Sequence, residues 1–210
     1  MGDLEYIKDP RVIEKKSFEI IESCIDRANF DDKELAVVKR VIHATADFEY
    51  ARILKFSKEA VDEGLNALRK GCRIITDTRM TEAGINKRAL KAAGCEVGCY
   101  IDHPDAARIS RELGITRAMA SIIMAAGNKD NRIFAIGNAP TALFKLVELV
   151  KKGTLSPALV IGVPVGFVGA GESKDALSNL DVPHIITCGR KGGSTVAAAV
   201  VNALLYMLGE

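Results

Sequence analysis

Apolar positions recur at helical spacing through the first third of the chain. Leu35, Val38, Ile42 and Thr45 fall on one stripe of a helix predicted from Asp32 to about Tyr50, with Asp31 or Asp32 as its N-cap. A second helix is predicted over Val12 to Ala28. From residue 57 the pattern changes to short apolar runs that alternate with helical segments. The runs are Cys72 to Thr76, Glu96 to Ile101, Ile133 to Ile136, Ala158 to Gly162 and His184 to Cys188; the helices span about 58–70, 86–93, 103–126, 140–152, 172–179 and 194–208.

Apolar runs of this length separated by helices predict an α/β fold, with a mainly parallel sheet flanked by helices on both faces. In such a sheet ligands bind beyond the carboxyl ends of the strands. That rule directs attention to Asp77-Thr78-Arg79-Met80, Asp102-His103-Pro104, Gly137 to Thr141, Val163 to Gly169 and Gly189 to Ser194. The length of 210 residues suits one domain, residues 1–210, with a helical part at about 10–56 and an α/β core at about 57–210.

Charge is unevenly spread: residues 1–70 hold 28 Asp, Glu, Lys and Arg, whereas residues 153–210 hold 7. The two ends must therefore face different surroundings. The net charge of +2 gives no reason to expect a nucleic-acid partner or a polybasic membrane anchor. No apolar stretch is long enough to span a bilayer, and the start of the chain has no signal-peptide pattern. A cytoplasmic protein is expected. The five cysteines fit no zinc spacing and read as free, mostly buried thiols, so no metal site is expected.

Three loops carry candidate chemistry. Gly189-Arg190-Lys191-Gly192-Gly193-Ser194-Thr195 puts glycines and two cations before an Ala-rich helix, which suits either an anion site or a simple capped turn. It matches neither the Walker nor the dinucleotide fingerprint. Gly162 to Gly169 suits a wall against a flat apolar ligand or a subunit partner, or else close strand-to-helix packing. Gly137 to Thr141 reads as a tight turn with Pro140 opening a helix, where a buried Asn138 could tie neighbouring loops. His43 shares a predicted helical face with Arg40 and Asp47, an arrangement suited to proton transfer or to a hydrogen-bonded structural role.

Taken together, Val41 to Glu49 (VIHATADFE), Asp77 to Met80 (DTRM), Thr116-Arg117, Ile136 to Phe144 (IGNAPTALF), Gly162 to Lys174 (GVPVGFVGAGESK) and Gly189 to Ser194 (GRKGGS) closely resemble the precorrin-8X (cobalt-precorrin-8) methylmutases. The resemblance covers nearly the whole chain. It implies a three-layer α/β sandwich, a homodimer with active sites near the subunit interface, no separate cofactor, and a corrinoid substrate and product. The implied reaction moves a methyl group from C11 to C12 of the corrin precursor, giving hydrogenobyrinate or cobyrinate. His43 falls on the family's proton donor and acceptor. For the substrate's carboxylates and flat ring the candidates are Arg40, Arg117, Arg190 and Lys191 as cations, Ser17 and Thr78 as hydrogen-bond donors, and Gly166 and Phe167 as ring-facing wall. Ala46 departs from the Gly often found there, which matters if that position needs a positive φ. A non-catalytic tetrapyrrole carrier and a nucleotide-binding α/β enzyme are the competing functions.

Overall fold

The computed structural model describes residues 6–209. The apolar runs form strands because both faces of each are covered. β1 (Leu54–Phe56), β2 (Arg73–Thr76), β3 (Glu96–Cys99), β4 (Asn131–Ile136), β5 (Leu159–Gly162) and β6 (His184–Thr187) make one sheet in the order β1-β6-β5-β4-β2-β3. β2 to β6 are parallel, and β1 joins antiparallel to β6 with Leu54 opposite Thr187.

Alternate side chains enter two cores. Ile74, Ile133, Leu159, Ile161 and Ile185 belong to a core completed by α2 (Asp32–Thr45), α4 (Ala60–Arg69), α6 (Lys87–Ala92) and α11 (Ser194–Met207). Ile75, Phe134, Ile136, Val160 and Ile186 belong to the opposite one, completed by α8 (Arg117–Ala126), α9 (Pro140–Lys151) and α10 (Ala170–Ser178). This is the expected three-layer α/β arrangement. The remaining helices are α1 (Pro10–Cys24), which packs on α2, α3 (Tyr50–Ile53), α5 (Arg79–Gly84) and α7 (Pro104–Leu113).

The charge asymmetry has a simple cause. α11 is buried almost all round, from Val196 to Leu205, and it contacts the sheet as well as α2, α4 and α5. Its alanines let these neighbours approach closely. The charged N-terminal helices form the outer shell, where α1 buries only Ile21.

Several boundaries differ from expectation. The segment 103–126 is two helices, because Gly114 (φ 63°) closes α7 and Thr116 caps α8 by accepting the Met119 N–H at 3.2 Å. Strand β1 lies inside the stretch read as helical, so residues 10–56 end in a strand of the core sheet. α2 stops at Thr45 rather than near Tyr50, because Ala46 turns into the left-handed region (φ 53°, ψ 27°) and donates its N–H to the Ile42 carbonyl at 2.7 Å. Asp47 is therefore off the helix, and the face proposed for Arg40, His43 and Asp47 keeps only Arg40 and His43.

A β-carbon at that φ carries a strain of about 1 kcal/mol that glycine avoids. Ala46→Gly should raise stability by about that much, which corresponds to a midpoint of thermal unfolding about 2–4 °C higher for a chain of this size. A lower midpoint in calorimetry would show that the left-handed turn is not held in solution.

Candidate functional site

The parallel strands run β3-β2-β4-β5-β6, so the chain goes to one side after β2 and crosses to the other after β3. The switch point, where a crevice opens beyond the carboxyl ends, lies between β2 and β4. Asp77, the first residue after β2, fills it. Its carboxylate is 1% exposed and accepts the amide N–H groups of Gly137 (2.9 Å), Asn138 (2.8 Å) and Ala139 (2.7 Å). Burial pushes this carboxyl up, and the three amides oppose the shift. The amides that such a turn could offer to a phosphate are taken by the chain's own carboxylate, which counts against nucleotide binding here. The Asn138 side chain is exposed rather than buried, and the tie between the two loops is made by its backbone instead.

Beside Asp77, the Thr78 hydroxyl caps α5 by accepting the Thr81 N–H (3.1 Å) and lies 2.8 Å from the Ser194 hydroxyl at the start of α11. The loops after β5 and β6 are joined by backbone bonds: Gly193 donates to the Val163 carbonyl (2.9 Å) and Gly166 to the Arg190 carbonyl (3.1 Å). Gly192 is a steric requirement, since a β-carbon there would lie 2.1 Å from the Val163 oxygen. Gly162 is likewise close packing, against Leu177, and not ligand wall. Phe167 and Val168 at the tip of the β5 loop are 85% and 89% exposed, and the Arg190 guanidinium lies 5.6 Å from the Phe167 ring centre.

The other predicted residues lie on α1 and α2. His43 is exposed on the last turn of α2, with its ring 5.1 Å from that of Phe18 in α1. Ser17 is half-buried and donates its hydroxyl to the Ile13 carbonyl at 2.8 Å. Arg40 is held internally: its guanidinium lies 4.8 Å from each of the Phe18 and Tyr206 rings and pairs with Glu14 at 2.9 Å. Lys191 is also engaged, with Asp47 at 2.5 Å and Glu49 at 2.8 Å. These carboxylates push its pKa up, and hydrogen bonding to Lys191 pulls Asp47 down. With the Tyr50 hydroxyl donating to the Gly192 carbonyl at 3.5 Å, this pairing brings the turn after His43 against the glycine loop. Arg117 and Arg190 are exposed and, among the described residues, make no ion pair. Arg117 opens α8, next to a Thr116–Thr141 hydroxyl contact of 3.1 Å that ties the starts of α8 and α9.

Two buried Asp or Lys side chains were not anticipated. Asp77 is one; its signal was a carboxylate directly after a parallel strand. Lys174 is the other, 1% exposed on α10, with its ammonium donating to the Lys191 carbonyl (3.0 Å) and to the Thr187 hydroxyl (3.2 Å). Burial pushes Lys174 down to about 8. Its signal was spacing, for Ala170, Ser173, Lys174 and Leu177 fall on one helical stripe. Among the thiols, Cys72, Cys95 and Cys99 are buried as expected, but Cys24 and Cys188 are exposed. Burial pushes Cys72 up to about 12, so it is an inert core thiol. Among the described residues no three His, Cys, Asp or Glu side chains converge as a metal site requires, and no helix is long and apolar enough to cross a membrane.

The profile of the precorrin-8X methylmutase family matches residues 12–207. A cobalt-precorrin-8 methylmutase of Salmonella typhimurium is 47% identical, over 99% of this chain and 100% of its own length. A precorrin-8X methylmutase of a Sinorhizobium species is 39% identical over 97% of this chain and 98% of its own. The crystal structure of the Thermus thermophilus precorrin-8X methylmutase superposes with a TM-score of 0.87 at 44% identity, covering 94% of this chain and 95% of that one.

Asp77→Asn tests the switch-point clamp. An amide turns an NH2 group toward backbone donors, so at least one buried N–H loses its acceptor. Stability should fall by about 3 kcal/mol, read as a lower denaturant midpoint at an unchanged slope. A wild-type midpoint would mean that the three amides find other partners.

Proposed function

The chain belongs to the precorrin-8X methylmutase family, isomerases of cobalamin biosynthesis, and from that membership we propose that it moves the C11 methyl group of precorrin-8X or cobalt-precorrin-8 to C12, with His43 as acid and base. The match along residues 12–207 carries the reaction, and the exposed ring of His43 beside Phe18 carries the assignment of the proton.

The chemistry asks little of the protein. In a 1,5-sigmatropic shift the methyl–C11 bond breaks as the methyl–C12 bond forms, with no nucleophile and no change of oxidation state. What the protein must supply is a bound geometry and the right tautomer. A proton from the His43 imidazolium to a ring nitrogen beside the migrating methyl polarises the conjugated system, and the neutral imidazole then takes a proton back.

Binding divides between charge and apolar surface. Arg117 and Arg190, which make no ion pair among the described residues, are the anchors for the ring's carboxylates. Arg40 and Lys191 are spent in internal pairs; in this reading Arg40 braces α1 on α2, and Lys191 braces the turn after His43. Thr78 and Ser17 supply rim hydroxyls, and Gly166 and Phe167 the apolar wall. The exposed side chains of Phe167, Val168 and Met80, and of Val12, Ile13 and Ile20 on α1, favour a homodimer that covers part of this surface. A cytoplasmic location and the absence of a separate cofactor complete the reading.

An absorbance time course of wild type and His43→Ala with precorrin-8X and with cobalt-precorrin-8, products identified by chromatography, tests this. Wild type should convert at least one substrate, and His43→Ala should bind it without turnover. A variant with a near wild-type rate removes His43 from the proton transfer, and wild-type binding without conversion points to a carrier. Arg117→Ala and Arg190→Ala should each weaken binding by about 1.5–3 kcal/mol, or about 10- to 150-fold in Kd. An unchanged Kd removes that arginine from the site.

A further inference from the structure

Lys174 lies beneath the glycine loop with almost no contact with solvent. A buried ammonium is costly, and a Met or Leu of similar volume would fill the space without that cost. The group must therefore supply something that a hydrocarbon lacks. Its two acceptors, the Lys191 carbonyl (3.0 Å) and the Thr187 hydroxyl oxygen (3.2 Å), are themselves joined, since the Thr187 hydroxyl donates to the same Lys191 carbonyl at 2.7 Å. Two donors thus converge on one backbone oxygen.

That oxygen sits in a segment unable to hold its own shape. Gly189, Gly192 and Gly193 all have positive φ and carry no side chains to lock them. The segment's form comes from outside: from the bonds of Gly193 to Val163, of Gly166 to Arg190 and of Tyr50 to Gly192, from the Lys191 pairs with Asp47 and Glu49 at the surface, and from the Lys174–Thr187 pair below. Arg190 is the residue before Lys191, so the peptide pinned by Lys174 adjoins the backbone that carries the Arg190 guanidinium.

We propose that Lys174 is a positioning residue for substrate binding, its ammonium holding the Lys191 carbonyl so that the glycine loop presents Arg190 to a carboxylate of the corrin ring. The proposal rests on the methylmutase reading and adds to it a residue that does not touch the substrate.

The test compares the full-length wild type with Lys174→Met, Thr187→Val and Thr187→Ser. Lys174→Met should unfold at the same temperature as wild type or higher, because a desolvated charge is removed. Amide hydrogen exchange, followed by mass spectrometry without substrate, should speed up in the peptide covering residues 188–194 and stay unchanged in α2. With substrate, KM should rise about tenfold while kcat stays within about threefold, the split expected when binding contacts are lost and the proton donor is intact. Thr187→Val should shift KM in the same direction, and Thr187→Ser, which keeps the hydroxyl, should restore it. Wild-type exchange and KM in Lys174→Met would overturn the proposal. A lower unfolding temperature with kcat reduced and KM unchanged would make Lys174 a core residue only. If Lys174→Met fails to fold, the Thr187 pair decides. Failure of the methylmutase reading itself is distinct, because wild type would then not turn over, while the exchange measurement reads the loop without catalysis.

Discussion

A buried carboxylate bonded to three successive amides holds the point where the sheet reverses its growth. Without Asp77, three successive N–H groups of the loop after β4 would lose their acceptor, that of Gly137 in the buried interior and those of Asn138 and Ala139 at its margin. With it, the ends of β2 and β4 are locked, Pro140 is placed to open α9, and Thr78 is carried to the start of α11. The loop after β5 bonds to that fixed edge, Val163 donating to the Ile136 carbonyl (2.9 Å) and Val165 to the Gly137 carbonyl (3.3 Å), and the loop after β6 joins it through the Val163 and Arg190 carbonyls. The loop rim beyond the strand ends is thus assembled mostly from backbone bonds, which explains how so many glycines are compatible with a defined surface.

The second organising element is α11. Because it is almost wholly apolar and lies between the sheet and α2, it sets the depth at which the outer helices sit. His43 is carried on that outer layer, not on the sheet edge. The candidate site therefore spans two layers, packed together through α11 and α2 and linked at their loops by the Lys191 pairs with Asp47 and Glu49 and by the Tyr50–Gly192 hydrogen bond.

Much of the fold was legible in the sequence, and what was not has a common cause. Strands covered on both faces produce continuous apolar runs, so β2 to β6 could be read directly. β1 could not, because three residues at an edge leave too little pattern. The end of α2 escaped because Ala46 adopts a glycine-like conformation that its identity does not announce. For the candidate site, His43, Thr78, Arg117 and Arg190 stood out as residue types in suggestive segments and through the family resemblance. Arg40 and Lys191 looked equally free for ligand, since their partners Glu14, Asp47 and Glu49 are fixed by tertiary packing across as many as 144 positions. Lys174 was overlooked for the opposite reason: a lysine is read as surface unless the stripe it shares is counted.

Two of the fastenings of the glycine loop differ in their exposure to solvent. On one side Lys174 grips the Lys191 carbonyl from within the protein, where dissolved ions do not reach. On the other, the Lys191 ammonium meets Asp47 and Glu49 at the surface, with 44% of its side chain exposed. Mobile ions screen such contacts over a Debye length of about 8 Å at physiological ionic strength. Rising ionic strength therefore loosens the join to the His43 layer and leaves the loop itself intact. The electrolyte content of the surrounding medium becomes a control on how firmly the turn after His43 is held against the glycine loop.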